Sequence, residues 1–221
     1  MTTITALKPS WMHWCRYVGG CFLSLALTGC LSRPALQKES FSFTIPAGNT
    51  NATRETPIVL GIRSVEVAPA YQGRLFVYRT AEASYERDPY AEFFVSPGDS
   101  VLHAFRNYFR ESGLFQAVTE SGSFFKPDLL AEIHVSQLYG DFRDPKQPAA
   151  VLRLRCAFFD VQPQAPSGRP LFQKSYARRI LFKNRTAAAL MDGWNEGLKQ
   201  ILADVTTDLK ASLAARPSAE R

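Results

Sequence analysis

Residues 90–118, YAEFFVSPGDSVLHAFRNYFRESGLFQAV, decide how this chain reads. An aromatic, β-rich run over 90–95 stops at Ser96-Pro97-Gly98-Asp99. There a hydroxyl cap precedes a Pro at the first helical position, and an acid follows three residues after the cap. Val101, Phe105, Tyr108 and Phe109 then recur at helical spacing, and Gly113 offers a left-handed stop. A short strand over 115–119 follows. Strand, capped amphipathic helix and strand in so few residues predict a helix laid on a sheet.

Three longer strands follow toward the C-terminus. Ala131, Ile133, Val135 and Tyr139 alternate with Glu132, His134 and Ser136. Leu152, Leu154, Cys156 and Phe158 alternate with Arg153 and Arg155, so one face of this sheet is polar. The last strand, 171–182, carries Phe172, Tyr176, Ile180 and Phe182 on one side. It is preceded by the loop QPQAPSGRP, whose prolines exclude ladder pairing. Leu190, Trp194, Leu198, Ile201, Val205 and Leu209 step by three or four residues, the clearest amphipathic helix in the chain.

In the other direction, Ile58, Leu60 and Ile62 alternate with Val59, while Val65 and Val67 fill the second face. That pattern predicts a central strand buried on both sides. Residues 75–79 and 90–95 form two further strands with the charged stretch 81–88 as their connection, and Phe41, Phe43 and Ile45 alternate as a half-buried strand would. The fold class is α/β: a single domain over 41–213 with a mixed sheet of about six to eight strands and two main helices covering one face.

The 221 residues contain 16 Phe and 8 Tyr, more aromatic area than a disordered chain carries, and 27 Pro plus Gly, which excludes a fibrous composition. The N-terminus reads separately. Residues 1–29 hold Lys8 and Arg16, no acid, and an apolar run over 18–27. That run matches a secretory signal and falls well short of the ~20 residues a spanning helix needs. Leu27-Thr28-Gly29-Cys30 follows and resembles the bacterial lipobox, with cleavage between Gly29 and Cys30. The Cys30 thiol is the nucleophile that accepts diacylglycerol, and a further acyl chain, typically palmitate, is expected on the new N-terminus. Residues 30–40 are then a lipidated N-terminus and tether, and 214–221 a flexible tail. Cleavage leaves 192 residues and lowers the net charge from +6 to +4. Leu31 replaces the Asp that favours inner-membrane retention in many enterobacteria, so attachment to the outer membrane, facing the periplasm, is expected. Of four cysteines, two leave with the signal and one is acylated; Cys156 stays alone in an apolar strand pattern as a buried, inert thiol.

Residues that could carry chemistry are few. The sequence has no GxSxG, HExxH, CxxC, phosphate loop or dinucleotide glycine fingerprint. After cleavage the histidines are His103 and His134, with no second ligand at metal spacing, and Asp141, Asp144 and Glu132 are dispersed acids. Neither a catalytic residue, a metal site nor a non-covalent cofactor is expected. Arg153, Arg155, Arg178 and Arg179, with Lys174, form a candidate positive stripe: either a contact for phospholipid headgroups or an acidic partner, or a solvated sheet face. A surplus of four charges and no recognition motif exclude nucleic acid.

The order of these features resembles the auxiliary lipoproteins of ABC-type transporters, including the PqiC-like lipoproteins associated with mammalian-cell-entry (MCE) proteins in intermembrane lipid transport. The resemblance spans about 41–213. It rests on Cys30, on IVLGIRSVEVAPAYQGRLFVYRT at 58–80, and on the block at 90–118, where Phe93 or Phe94 stands in place of a frequent Trp. It implies a non-catalytic, lipid-anchored periplasmic domain serving an MCE protein and an ABC permease and ATPase, with self-association into rings. Two other readings stay open: a scaffold lipoprotein for outer-membrane assembly, and a lipid-modifying enzyme.

Overall fold

The computed structural model describes residues 37–46, 54–119, 126–161 and 169–215. The signal segment, the Gly29–Cys30 cleavage site, most of the tether, most of the proline-rich loop and the tail from 216 lie outside the described residues. The described chain forms a mixed sheet of eight strands with two helices. In chain order these are β1 (Glu39–Phe41), β2 (Val59–Val67), β3 (Leu75–Arg79), β4 (Tyr85–Phe93), α1 (Pro97–Glu111), β5 (Ala117–Thr119), β6 (Leu129–Asp141), β7 (Ala149–Asp160), β8 (Phe172–Leu181) and α2 (Ala187–Ala214).

β6 organises the sheet. β7 pairs antiparallel along its whole length on one edge, and β8 continues the meander. The other edge of β6 is shared end to end by two parallel partners, β2 beside Leu129 to Val135 and β3 beside Gly140 and Asp141. β5 extends the β2 side in parallel; β4 pairs antiparallel to β3, and β1 parallel to β4.

Both helices begin on hydroxyl caps. Ser96 Oγ accepts from the Asp99 amide and donates to its carboxylate at 2.6 Å, Pro97 occupies the first turn, and Gly113 leaves the helix at a φ of 71°. Thr186 caps α2 through the Ala189 amide. The helices cover one sheet face. Trp194 is fully buried in α2 against Phe76 and Phe93 at ring separations of 4.9 and 5.6 Å, and Phe105 and Phe109 of α1 are equally enclosed. α2 lies very close to the sheet because Gly193 has no side chain: a Cβ there would stand 2.7 Å from the Ala150 Cβ.

Three strand expectations are corrected. β2 is not buried on both sides. A bulge between Ile62 and Ser64 re-phases the strand, so Leu60, Ile62, Val65 and Val67 all sit opposite core residues of β6, while Arg63, Ser64 and Glu66 face outward. The charged residues 85–88 are strand rather than connection, and the hairpin turn is confined to 80–84. They hide their state because no position of 85–88 is itself buried; Pro89 is tolerated since it falls in the irregular pairing between Leu75–Glu92 and Val77–Arg87. Finally, β1 ends at Phe41. Phe43 and Ile45 pack on the core without joining the ladder, Phe43 stacking on Phe93 at 5.9 Å.

Candidate functional site

The helix-free face of the sheet is the chemically distinctive surface, and strand register determines what it displays. Side chains alternate along β6, β7 and β8, so the register aligns them in rows. On the face opposite α1 and α2 these rows read Glu132, Ala157, Gln173; then His134, Arg155, Ser175; Gln137, Arg153, Ala177; and Tyr139, Val151, Arg179, with Ala157 and Tyr139 buried, the latter beneath the Tyr71 ring. On the helix face the same strands place Cys156 beside Lys174, Leu154 beside Tyr176 and Leu152 beside Arg178.

The four-arginine stripe is therefore divided between two faces. Arg153, Arg155 and Arg179 lie on the open face, whereas Arg178 and Lys174 point to α2. Lys174 Nζ is 2.7 Å from Asp208, Tyr176 Oη donates to the same carboxylate at 2.8 Å, and Arg178 is held by Asp204 and Gln200. Charges on adjacent β8 positions must alternate between faces, a constraint that Arg178-Arg179 obeys. Asp208 is held below the ordinary carboxylate range, chiefly by the Lys174 and Tyr176 hydrogen bonds. These cations fasten α2 to the sheet and are not free for a ligand. Arg153 and Arg155 are exposed and have no ion pair among the described residues.

Arg155 lines a hollow of about 430 Å³ with Arg63, Glu66, Glu132, His134 and Gln173. Arg63 and Glu132 form an ion pair at 2.8 Å, and His134 Nδ1 lies 3.8 Å from Glu66. A second, more apolar hollow of about 370 Å³ is lined by Tyr71, Val77, Tyr85 and Arg87. Tyr139 packs against two of these rings, with centroids 6.0 Å from Tyr71 and 5.8 Å from Tyr85. Burial is the main reason the Tyr71 phenol is pushed up to about 12. This aromatic group was not legible as a site in the sequence, because Tyr71, Tyr85 and Tyr139 belong to three separate segments.

The dispersed acids do not assemble. Glu132 and Asp141 occupy the same strand and face nine positions apart, a separation of ~30 Å at the usual strand rise. Asp141 is buried, with Arg143 Nη2 at 2.9 Å and Arg179 at 3.6 Å, and its carboxyl is lowered chiefly by the Arg143 hydrogen bond. Asp144 is exposed in the loop after β6, His103 is exposed on α1, and Cys156 is fully buried with its thiol pushed up to about 12 by burial. Among the described residues no three His, Cys, Asp or Glu stand together as metal ligands, and no helix is long and apolar enough to cross a membrane.

The chain shares its fold with a DUF330 protein. The crystal structure of XCC0632 from Xanthomonas campestris, assigned to the family model DUF330, superposes with a TM-score of 0.68 at 15% identity, covering 81% of this chain and 100% of that one. The crystal structure of a second, uncharacterized protein superposes with a TM-score of 0.57 at 10% identity, covering 78% and 99% respectively. Neither a family model nor a curated protein sequence matches the chain. What is shared with these structures is the fold.

Proposed function

We propose that this protein is a lipid-anchored periplasmic lipoprotein of the PqiC-like type, a non-catalytic auxiliary subunit of an ABC/MCE transporter that moves lipid between the inner and outer membranes and so maintains envelope integrity. The carrying observation is a lipobox ending at Cys30 in front of a domain whose fold matches a DUF330 protein over that protein's full length. An ATPase in the cytoplasm would supply the energy of transport. This subunit would then contribute an anchor, a rigid body and a docking surface, and the helix-free face with Arg153 and Arg155 is the surface offered to the MCE protein.

Co-purification of the acylated protein with MCE and permease subunits tests this reading. The charge-reversed R153E/R155E variant is expected to keep its fold and lose most of that capture. Recovery instead with a β-barrel assembly complex would replace the transporter reading with the scaffold reading. Hydrolysis of labelled phospholipid by the purified protein, abolished by one polar substitution, would replace it with an enzyme.

A further inference from the structure

The sheet register and the tether length together select the end of the domain that meets the membrane, an inference that rests on the acylated Cys30 of the proposed function. Eight residues, 31–38, separate Cys30 from β1 and span at most ~28 Å when fully extended. β1 runs parallel to β4 with Glu39 opposite Ala91, and β4 traced backward leads to the hairpin, where Arg79 pairs with Tyr85. The chain thus reaches β1 from the hairpin side. Leu75 pairs with Glu92, next to Ala91, so the hairpin end stands about four β3 residues beyond Glu39, or ~13 Å. The opposite end is farther. Tyr78 lies beside Gly140, which puts Leu75 near the level of Gln137, and β6 continues back to Leu129 over ~27 Å. Reaching that end would consume the whole tether, against its direction of travel.

The hairpin end also has the surface chemistry of a membrane contact. The β3–β4 turn and the loops after β6 and β8 converge there, because β3 and β6 finish side by side and β8 finishes beside the start of β7. Segments 79–88, 141–148 and 179–186 contain seven Lys and Arg against five Asp and Glu. Two of the acids are ion-paired with three of the cations, Asp141 with Arg143 and Arg179, and Glu82 with Arg79 and Arg143. Arg87, Lys146 and Lys183 remain exposed, with no ion pair among the described residues. Tyr85 and Tyr90 are 47% and 48% exposed, and Tyr90 adjoins the residue opposite Glu39. Amphipathic rings and cations of this kind are what the headgroup layer of an anionic bilayer accommodates. At the other end, the described segments 54–58, 110–116, 126–129, 159–161, 169–172 and 207–211 carry five basic and five acidic residues, with no net charge among them.

We propose that the β3–β4 hairpin and the 142–148 and 182–186 loops rest on an anionic phospholipid surface. The strands then stand upright on the membrane, and the helix-free face is turned sideways toward a partner in the periplasm. The test uses the full, processed protein in phosphatidylethanolamine–phosphatidylglycerol vesicles containing a nickel-chelating lipid. One nitroxide is placed through K146C or K183C, or at the other end through K126C or R169C, while buried Cys156 stays unlabelled. Relaxation by headgroup nickel is expected to be several-fold stronger at 146 and 183 than at 126 and 169, and R87Q/K146Q/K183Q, labelled at Tyr85→Cys, is expected to weaken it. Equal relaxation at the two ends, or stronger relaxation at 126 and 169, overturns the orientation. Relaxation unchanged in the triple variant overturns the part given to charge. A mass spectrum of the same samples with unmodified Cys30 overturns the anchoring itself.

Discussion

The two faces of the sheet use the same strands for opposite ends. Toward the helices, Trp194, Phe76, Phe93 and Leu154 are excluded from water, and even the β8 cations are consumed in holding α2. Toward solvent, Glu132, His134, Gln137, Arg153 and Arg155 alternate with those core positions and leave them untouched when removed. Most of the buried apolar area therefore lies on one face, while the Arg153 and Arg155 region of the other stays open to solvent.

Replacing Trp194 with Ala should destabilise the fold by about 3–5 kcal/mol, whereas Arg155→Ala on the opposite face should stay within ~0.5 kcal/mol. Denaturant titration of the pair measures the contrast, and equal losses would break it. Gly193→Ala probes how tightly the covered face is closed. The new methyl meets Ala150 at 2.7 Å, and a loss of about 1–3 kcal/mol is expected by thermal unfolding; no loss would mean that α2 can withdraw without penalty. The smallest effect concerns acid. Asp141 and Asp208 both titrate below the ordinary value of 3.8 in the folded protein. Their stabilising contribution is complete above the unfolded-state value and is lost as pH falls through the lowered folded values. Stability should decline below about pH 4, and D141N/D208N should flatten that decline in urea midpoints measured across the acid range.

Much of this contrast was legible in the sequence, and the exceptions have physical causes. α1 announced itself through Ser96, Pro97 and Gly113, and α2 through its apolar stripe, because caps and periodicity are local signals. The polar face of β6 and β7 followed from alternation. The β2 bulge was hidden because Val65 and Val67 look equally suited to either face until one extra residue shifts the phase. The stripe of arginines failed for a related reason: Arg178 and Arg179 are neighbours in sequence and therefore cannot share a face of one regular strand. Pairing of Arg178 with Asp204 and stacking of Tyr71 on Tyr139 are long-range facts that composition does not encode.

The shared edge of β6 also sets the order in which the chain can become a fold. Among the described strands β2 pairs only with β5 and β6, whose partner residues come about 58 and 69 positions later, and the second edge of β3 must likewise wait for Gly140. Until that strand is available, the segment up to residue 119 can close the β3–β4 hairpin, the β1 pairing beside it and the three-residue β2–β5 ladder, but none of the central pairing with β6. Such non-local pairing slows folding. A chain emerging N-terminus first would thus remain largely unfolded through its first half, with the apolar residues of β2 awaiting a strand not yet made.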